Sequence, residues 1–399
     1  MRTGTSSVVV AAFIGPGTIL TCASAGVSFG YGLGWVLLFA TGTAFVLQSL
    51  TAGTGILANR GLGEAIRTEL DGRRLRPLAV GLVVLGLWVG CASFELGNLL
   101  GAAAGITALT GGALSERTLV AGLGGVAALI LLLDLRLLIR LLAGLVVGMS
   151  VLFAVSLMLA PVDWAAALRG LFVPRLPTGS LLTVVALIGT TVVTYNLFLH
   201  PSAAKRYWAD TPDRAAAWTA EMRGMAVFLP VGGLISFAIL ATGAALPNAA
   251  DGAGSIEAFA RLLEPVAGSL AQVCFGLGLF AAGLTSTLTA PLAAASGICE
   301  VFGWDATPTS RSFRAVWASV LGTGVGIGGL GGSPLPAIVA AQAANGLLLP
   351  LVAAFMLALA LRQSVVELPA WYYVLGVGVT LVCAGLGART LWWVWTQTF

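Results

Sequence analysis

Hydrophobic positions along this chain come in long runs rather than at the three-to-four spacing of a surface helix, and charged residues collect in the short gaps between runs. A helix that crosses ~30 Å of hydrocarbon needs about 20 predominantly apolar residues. Eleven segments meet that requirement, at about 8–30, 33–57, 78–108, 118–134, 141–160, 180–208, 225–246, 269–302, 314–331, 334–361 and 370–396. They predict an all-α integral membrane protein of eleven transmembrane helices, forming one domain over residues 1–399. Composition agrees: 58% of residues are hydrophobic and 9% charged, against about 25% charged in a soluble domain.

The positive charges orient the spans. With an odd count and a cytoplasmic N-terminus, 15 of the 20 Lys and Arg fall on the inner side, and only Arg117, Arg169, Arg175, Arg261 and Arg389 fall outside. The C-terminus is then external and the chain belongs in the cell or plasma membrane. A pI near 9.0 reflects inner loops facing anionic membrane lipids, with no sign of a nucleic-acid partner. Trp371, Tyr372 and Tyr373 open the last segment and Trp392, Trp393 and Trp395 close it, as interfacial aromatic belts do. The five cysteines show no paired spacing and read as small hydrophobes. Arg2, "VVVAAFI" and Ala23-Ser24-Ala25 have the outline of a cleaved signal peptide, but Gly15-Pro16-Gly17 interrupts its apolar core and the charge asymmetry needs a spanning first segment.

Two spans are broken. The stretch "FIGPGTILTCASAG" places Gly15, Pro16 and Gly17 inside the first, where Pro removes a backbone donor and Gly weakens helical order. "IGTTVVTYNLFLHP" places five consecutive β-branched residues, Thr190 to Thr194, inside the sixth. Spans one to five (8–160) and six to ten (180–361) thus form two halves that each begin with an interrupted helix, and five spans per half turns the halves over in the membrane. That is the pattern of an inverted-repeat transporter, with 370–396 as an added helix. Unwound backbone at membrane depth is tolerated where it lines a buried site.

At these breaks the sequence resembles the Nramp family of proton-coupled divalent-metal transporters. "GPGTILTCASAGVSFGYGLGW" (15–35) is similar to the family's first-span region, and "LQSLTAGTGI" (47–56), "WAAALRGLFVP" (164–174), "NLFLHP" (196–201) and "GLFAAGLTSTLTAPLA" (278–293) follow in the family's order. The resemblance implies a leucine-transporter-like 5+5 inverted repeat plus one helix, with helices 1 and 6 interrupted. It also implies a metal held by an Asp and an Asn of the first span, by a Met and a backbone carbonyl of the sixth, and a glutamine near the ion, here Gln342. At the matching positions stand Gly15 and Thr18, then Thr190, Val193, Thr194 and Tyr195.

A divalent cation at membrane depth requires carboxylate oxygens, and transition-metal preference requires sulfur or imidazole. Neither is present at these positions, so no metal ligand is assigned. The candidate substrate-binding set is Gly15, Gly17, Thr18, Thr190, Val193, Thr194, Tyr195, Asn196 and Gln342: hydroxyls, amides and unwound backbone. With a half-helix N-terminus, that set suits a small neutral, zwitterionic or carboxylate-bearing solute. Glu95 is the one acid expected well inside a span; it matches an acidic position on the family's proton route, whose second acid is replaced by Asn98. Glu95, Asn98 and His200, the single histidine, are the proton-coupling candidates, with a protonated, hydrogen-bonded Glu95 and a structural His200 as the plainer readings.

The Gly324, Gly326, Gly329 spacing has no preceding strand and reads as helix packing, so no nucleotide and no cofactor is expected. The run Lys205 to Arg223 reads as a solvated connector. With no hydrolase triad, P-loop or catalytic carboxylate pair, an enzyme is not expected. Three functions stand side by side: a solute transporter with a dismantled metal site, a cation transporter of altered selectivity, and a non-transporting membrane scaffold.

Overall fold

The computed structural model describes residues 14–72, 74, 76–133, 136–245, 259–331, 334–362 and 370–398. Among these the chain is helical, with no strand. The helices are α1 Pro16–Phe29, α2 Gly34–Ile56, a short α3 Leu62–Glu69, α4 Arg76–Thr110, α5 Glu116–Leu133, α6 Arg136–Leu159, a short α7 Trp164–Phe172, α8 Leu181–Thr191, α9 Thr194–Tyr207, α10 Arg214–Ala244, α11 Ala271–Phe302, α12 Arg311–Gly328, α13 Pro334–Arg362 and α14 Ala370–Thr398. Short helical turns over 261–270 precede α11.

Nine stretches of the described residues are long and apolar enough to cross a membrane. The first, Pro16–Ile56, holds two of the expected spans, α1 and α2; the ninth expected span is present as α12, whose first turn carries Arg311 and Arg314 and so lowers its hydropathy. Helix ends follow local chemistry. Asp213 accepts from Ala216 N–H at 2.9 Å and Ser310 from Phe313 N–H at 3.2 Å, capping α10 and α12. Gly303, at φ 72, closes α11 in the left-handed conformation that glycine adopts without penalty. Large apolar side chains point outward, Met158 at 79% and Leu381 at 66% exposure, as a lipid-facing surface requires.

α4 lies against α11, with Gly105 and Gly283 at the crossing: a Cβ on Gly105 would sit 2.5 Å from Phe280 N and one on Gly283 2.6 Å from Ala102 Cβ. Such small residues let backbones approach where no hydrophobic force acts between helices. α1 packs on α10 as α8 and α9 pack on α2, and α4 meets α13 as α11 meets α6. These reciprocal pairings are what two oppositely oriented five-helix halves require. α14 lies outside them, against α13.

Two expectations change. α10 starts at Arg214 rather than near 225, so its first three turns are helix and not connector. Asp213 supplies the cap that hydropathy alone does not register. Tyr372 is 4% exposed and therefore buried, not displayed in an interfacial belt.

Candidate functional site

The sixth-span break is present as expected. α8 ends at Thr191, Val192 leaves the helical region at ψ 79, Val193 is extended at ψ 113, and α9 restarts at Thr194. β-branching at five successive positions removes the rotamer freedom that would favour continuous helix. The first break is seen from one side, because residues 1–13 lie outside the described residues: Gly15 is extended and α1 begins at Pro16, whose missing N–H suits a helix start.

The structure brings the breaks together. Thr18 Oγ1 and Thr190 Oγ1 share a hydrogen bond of 2.9 Å between buried hydroxyls 172 residues apart. Gln342 of α13 presses its amide against Gly17, where an added Cβ would overlap it. Gln342 is 1% exposed, and its Oε1 has no hydrogen-bond partner among the described residues. Gly15 faces Ser286 of α11: a Cβ there would sit 3.0 Å from Ser286 Oγ. Tyr195 is buried with its ring edge-on to Phe94 at 5.2 Å. Val193 and Asn196 are buried too, and both amide atoms of Asn196 lack a hydrogen bond among the described residues.

The residue missing from the expected set is Asn345, one turn beyond Gln342 on α13. Its Nδ2 donates to Gly189 O at 2.6 Å and to Val192 O at 3.1 Å, and its Oδ1 accepts from Thr194 N–H at 3.4 Å and from the Thr194 hydroxyl. One side chain thus satisfies backbone groups on both sides of the break, groups that would otherwise be buried without partners. α13 reaches this close because Gly189 and Gly346 carry no Cβ: one on Gly189 would overlap the Gln342 carbonyl, one on Gly346 the Val185 carbonyl. The sequence signal was weak, an asparagine followed by glycine inside an apolar span.

Glu95 and Asn98 lie one turn apart on α4, both buried, at 0% and 2% exposure. Neither carboxylate oxygen of Glu95 is hydrogen-bonded among the described residues, nor is Asn98 Nδ2. The Glu95 stem packs against Gly324, where an added Cβ would lie 2.6 Å from Glu95 Cγ, so this glycine serves helix packing. His200 lies in α9, away from the break, with Nε2 3.1 Å from Glu221 Oε1; both side chains are fully buried. Trp208 Nε1 donates to Glu221 Oε2 at 2.9 Å. Glu221 corrects one expectation: the Lys205–Arg223 run is not merely solvated, since this acid near the start of α10 is fully buried. Lys205 binds Glu64 of α3 at 2.7 and 3.0 Å, and Glu300 accepts from Ser202 Oγ at 2.5 Å and Gly63 N–H at 3.2 Å.

At the junction of the breaks the arrangement offers hydroxyls, amides and the first turn of α1. Among the described residues no group of three or more His, Cys, Asp or Glu is placed to hold a metal ion.

A family model described as natural resistance-associated macrophage protein-like, Nramp, matches residues 6–393. The chain belongs to the Nramp family. The divalent metal cation transporter MntH of Klebsiella pneumoniae (strain 342) is 31% identical over 300 residues, which are 73% of this chain and 70% of that relative. MntH of Yersinia pestis (strain Pestoides F) matches to the same extent. Among solved structures, a manganese transporter of Eremococcus coleocola superposes with a TM-score of 0.74 at 19% identity, covering 97% of this chain and 85% of that one. MhsT in complex with L-phenylalanine superposes at 0.61 (15% identity, 98% of each chain). Mhp1, a nucleobase-cation-symport-1 transporter with bromovinylhydantoin bound, superposes at 0.60 (15%, 99% and 93%). The Nramp-family chain therefore has the leucine-transporter-like fold expected of it.

Proposed function

We propose that this Nramp-family chain is a secondary transporter whose transition-metal site is lost, and that it carries a small polar solute, neutral, zwitterionic or bearing a carboxylate. The Thr18–Thr190 hydrogen bond carries the reading: the groups through which the two breaks meet are neutral hydroxyls. A doubly charged ion stripped of water at this depth needs anionic oxygens, since hydroxyls and amides return far less than the lost hydration. A carboxylate suits the place better, beside the first turn of α1 and the positive end of its dipole. Related folds crystallised with L-phenylalanine and bromovinylhydantoin support an organic cargo as compatible with the architecture. The N-terminus is cytoplasmic and the C-terminus external by the positive-charge asymmetry. Glu95 is the group through which protons would couple to transport.

Calorimetry of the purified protein with Mn²⁺ and Mg²⁺ tests this. No saturable heat is expected; micromolar binding of either ion overturns the reading. Uptake of labelled amino and carboxylic acids into proteoliposomes then separates a carrier from a scaffold, which would show none. In the carrier, Glu95→Gln is expected to abolish the response of uptake to a pH gradient.

A second reading is favoured by one observation, the 31% identity to proteins named divalent metal cation transporters. It makes the chain a cation and proton symporter of altered selectivity, working through backbone carbonyls, water and Gln342, and it predicts the saturable heat that the first reading excludes.

A further inference from the structure

A broken membrane helix frees backbone carbonyls, and in transporters built this way such carbonyls hold the coupling cation. Here two of them are already engaged. Gly189 O in the last turn of α8 and Val192 O just past it both point at one group, the Asn345 amide, at 2.6 and 3.1 Å. The Thr194 hydroxyl closes the arrangement from the α9 side, through Asn345 Oδ1. Asn345 is 0% exposed, and its Nδ2, a donor with partial positive charge on its hydrogens, lies among oxygens as an ammonium or small cation would.

We propose that Asn345 is a specificity-determining residue: its side-chain amide is a permanent occupant of the carbonyl cradle at the sixth-span break and closes that subsite to cations. The proposal rests on the reading of the central site as free of metal. With Gly189 O and Val192 O occupied, the break presents less negative potential to cargo, while the first turn of α1 brings the positive end of its dipole. The selectivity of the junction is thereby set toward anionic or neutral groups.

The cradle is a single substitution from a cation site. Asn345→Asp replaces Nδ2 by a carboxylate oxygen, so that an anion, two carbonyls and a hydroxyl converge, a donor set suited to a hard divalent ion. Asn345→Ser shortens the side chain and uncovers the carbonyls without adding charge.

The test is thermal melting of full-length native, N345D and N345S proteins in detergent, titrated with MnCl₂ and, separately, with NaCl against choline chloride. A ligand that binds only the folded state raises the Tm. The native protein is expected to show no cation-dependent rise. N345D is expected to gain a saturable Mn²⁺-dependent rise, half-complete at a Mn²⁺ concentration at least about tenfold below any response of the native protein. If N345D yields no folded protein, N345S decides, with an expected Na⁺- or Mn²⁺-dependent rise that the native protein lacks. Variants that fold and remain as indifferent to cations as the native protein overturn the role of Asn345 alone. A native protein that itself binds Mn²⁺ overturns the metal-free reading and this proposal with it.

Discussion

At the breaks, Thr18, Thr190, Gln342 and Asn345 are neutral dipoles, and three of the four are spent on one another or on the unwound backbone. At the Lys205 end of α9 the groups are ionisable and matched: His200 and Trp208 with Glu221, Ser202 and Gly63 with Glu300, Lys205 with Glu64. The difference shows that this chain does bury carboxylates, and does so where donors stand ready to receive them. The neutrality of the junction is therefore local and not a general avoidance of charge, which would also have removed Glu221 and Glu300. Glu95 belongs to neither region, being fully buried with both oxygens unpartnered among the described residues. It is the group on which the proposed proton coupling rests.

The largest effect is expected at the neutral junction. Asn345→Leu leaves the Gly189 and Val192 carbonyls and the Thr194 N–H buried without partners. At about 1–3 kcal/mol for each such group, the loss of stability is roughly 4 kcal/mol or more, measured by denaturant unfolding in detergent. A loss below about 1 kcal/mol would mean that the break is held elsewhere. Next comes the Lys205 end of α9: Glu221→Ala leaves a ring nitrogen of His200 and that of Trp208 buried without their partner and is expected to cost about 3 kcal/mol, at about 1–3 kcal/mol for each stranded group. Glu221→Gln keeps the shape and an acceptor for Trp208 and should cost distinctly less; equal losses would show that the negative charge rather than packing governs that region.

Thr18→Val removes one hydroxyl bond between the breaks, an expected loss of about 1 kcal/mol by the same unfolding measurement. The smallest effect belongs to Glu64→Gln. Burial opposes ionisation of Glu64, yet the Lys205 ammonium and the Gly61 N–H outweigh it and hold the carboxyl below its ordinary range. A lowered value means the pair stabilises at neutral pH and stops doing so as pH falls through that value. Since both partners are about one-third exposed, the gap between native and variant should be only a few tenths of a kcal/mol, and should vanish in acid and in high salt.

The breaks were legible because their signals are local: a Gly-Pro-Gly and a run of five β-branched residues disturb helix order wherever they occur. Thr18, Thr190 and Gln342 followed from the breaks and the family resemblance. Asn345 did not, because its partners lie more than 150 residues earlier and nothing in "AAQAANGLLLP" marks which face of the helix meets them. Glu221 was missed for a related reason. Hydropathy assigns the charged first three turns of α10 to the connector, whereas the burial of Glu221 is decided by where α9 brings His200 and Trp208.

A bond of 2.9 Å between two uncharged oxygens, worth about 1 kcal/mol, tilts a two-state balance by only some fivefold. Thermal agitation undoes such a fastening readily, so this contact by itself does not lock the two breaks to each other. An ionic clasp in that position would resist separation far more strongly.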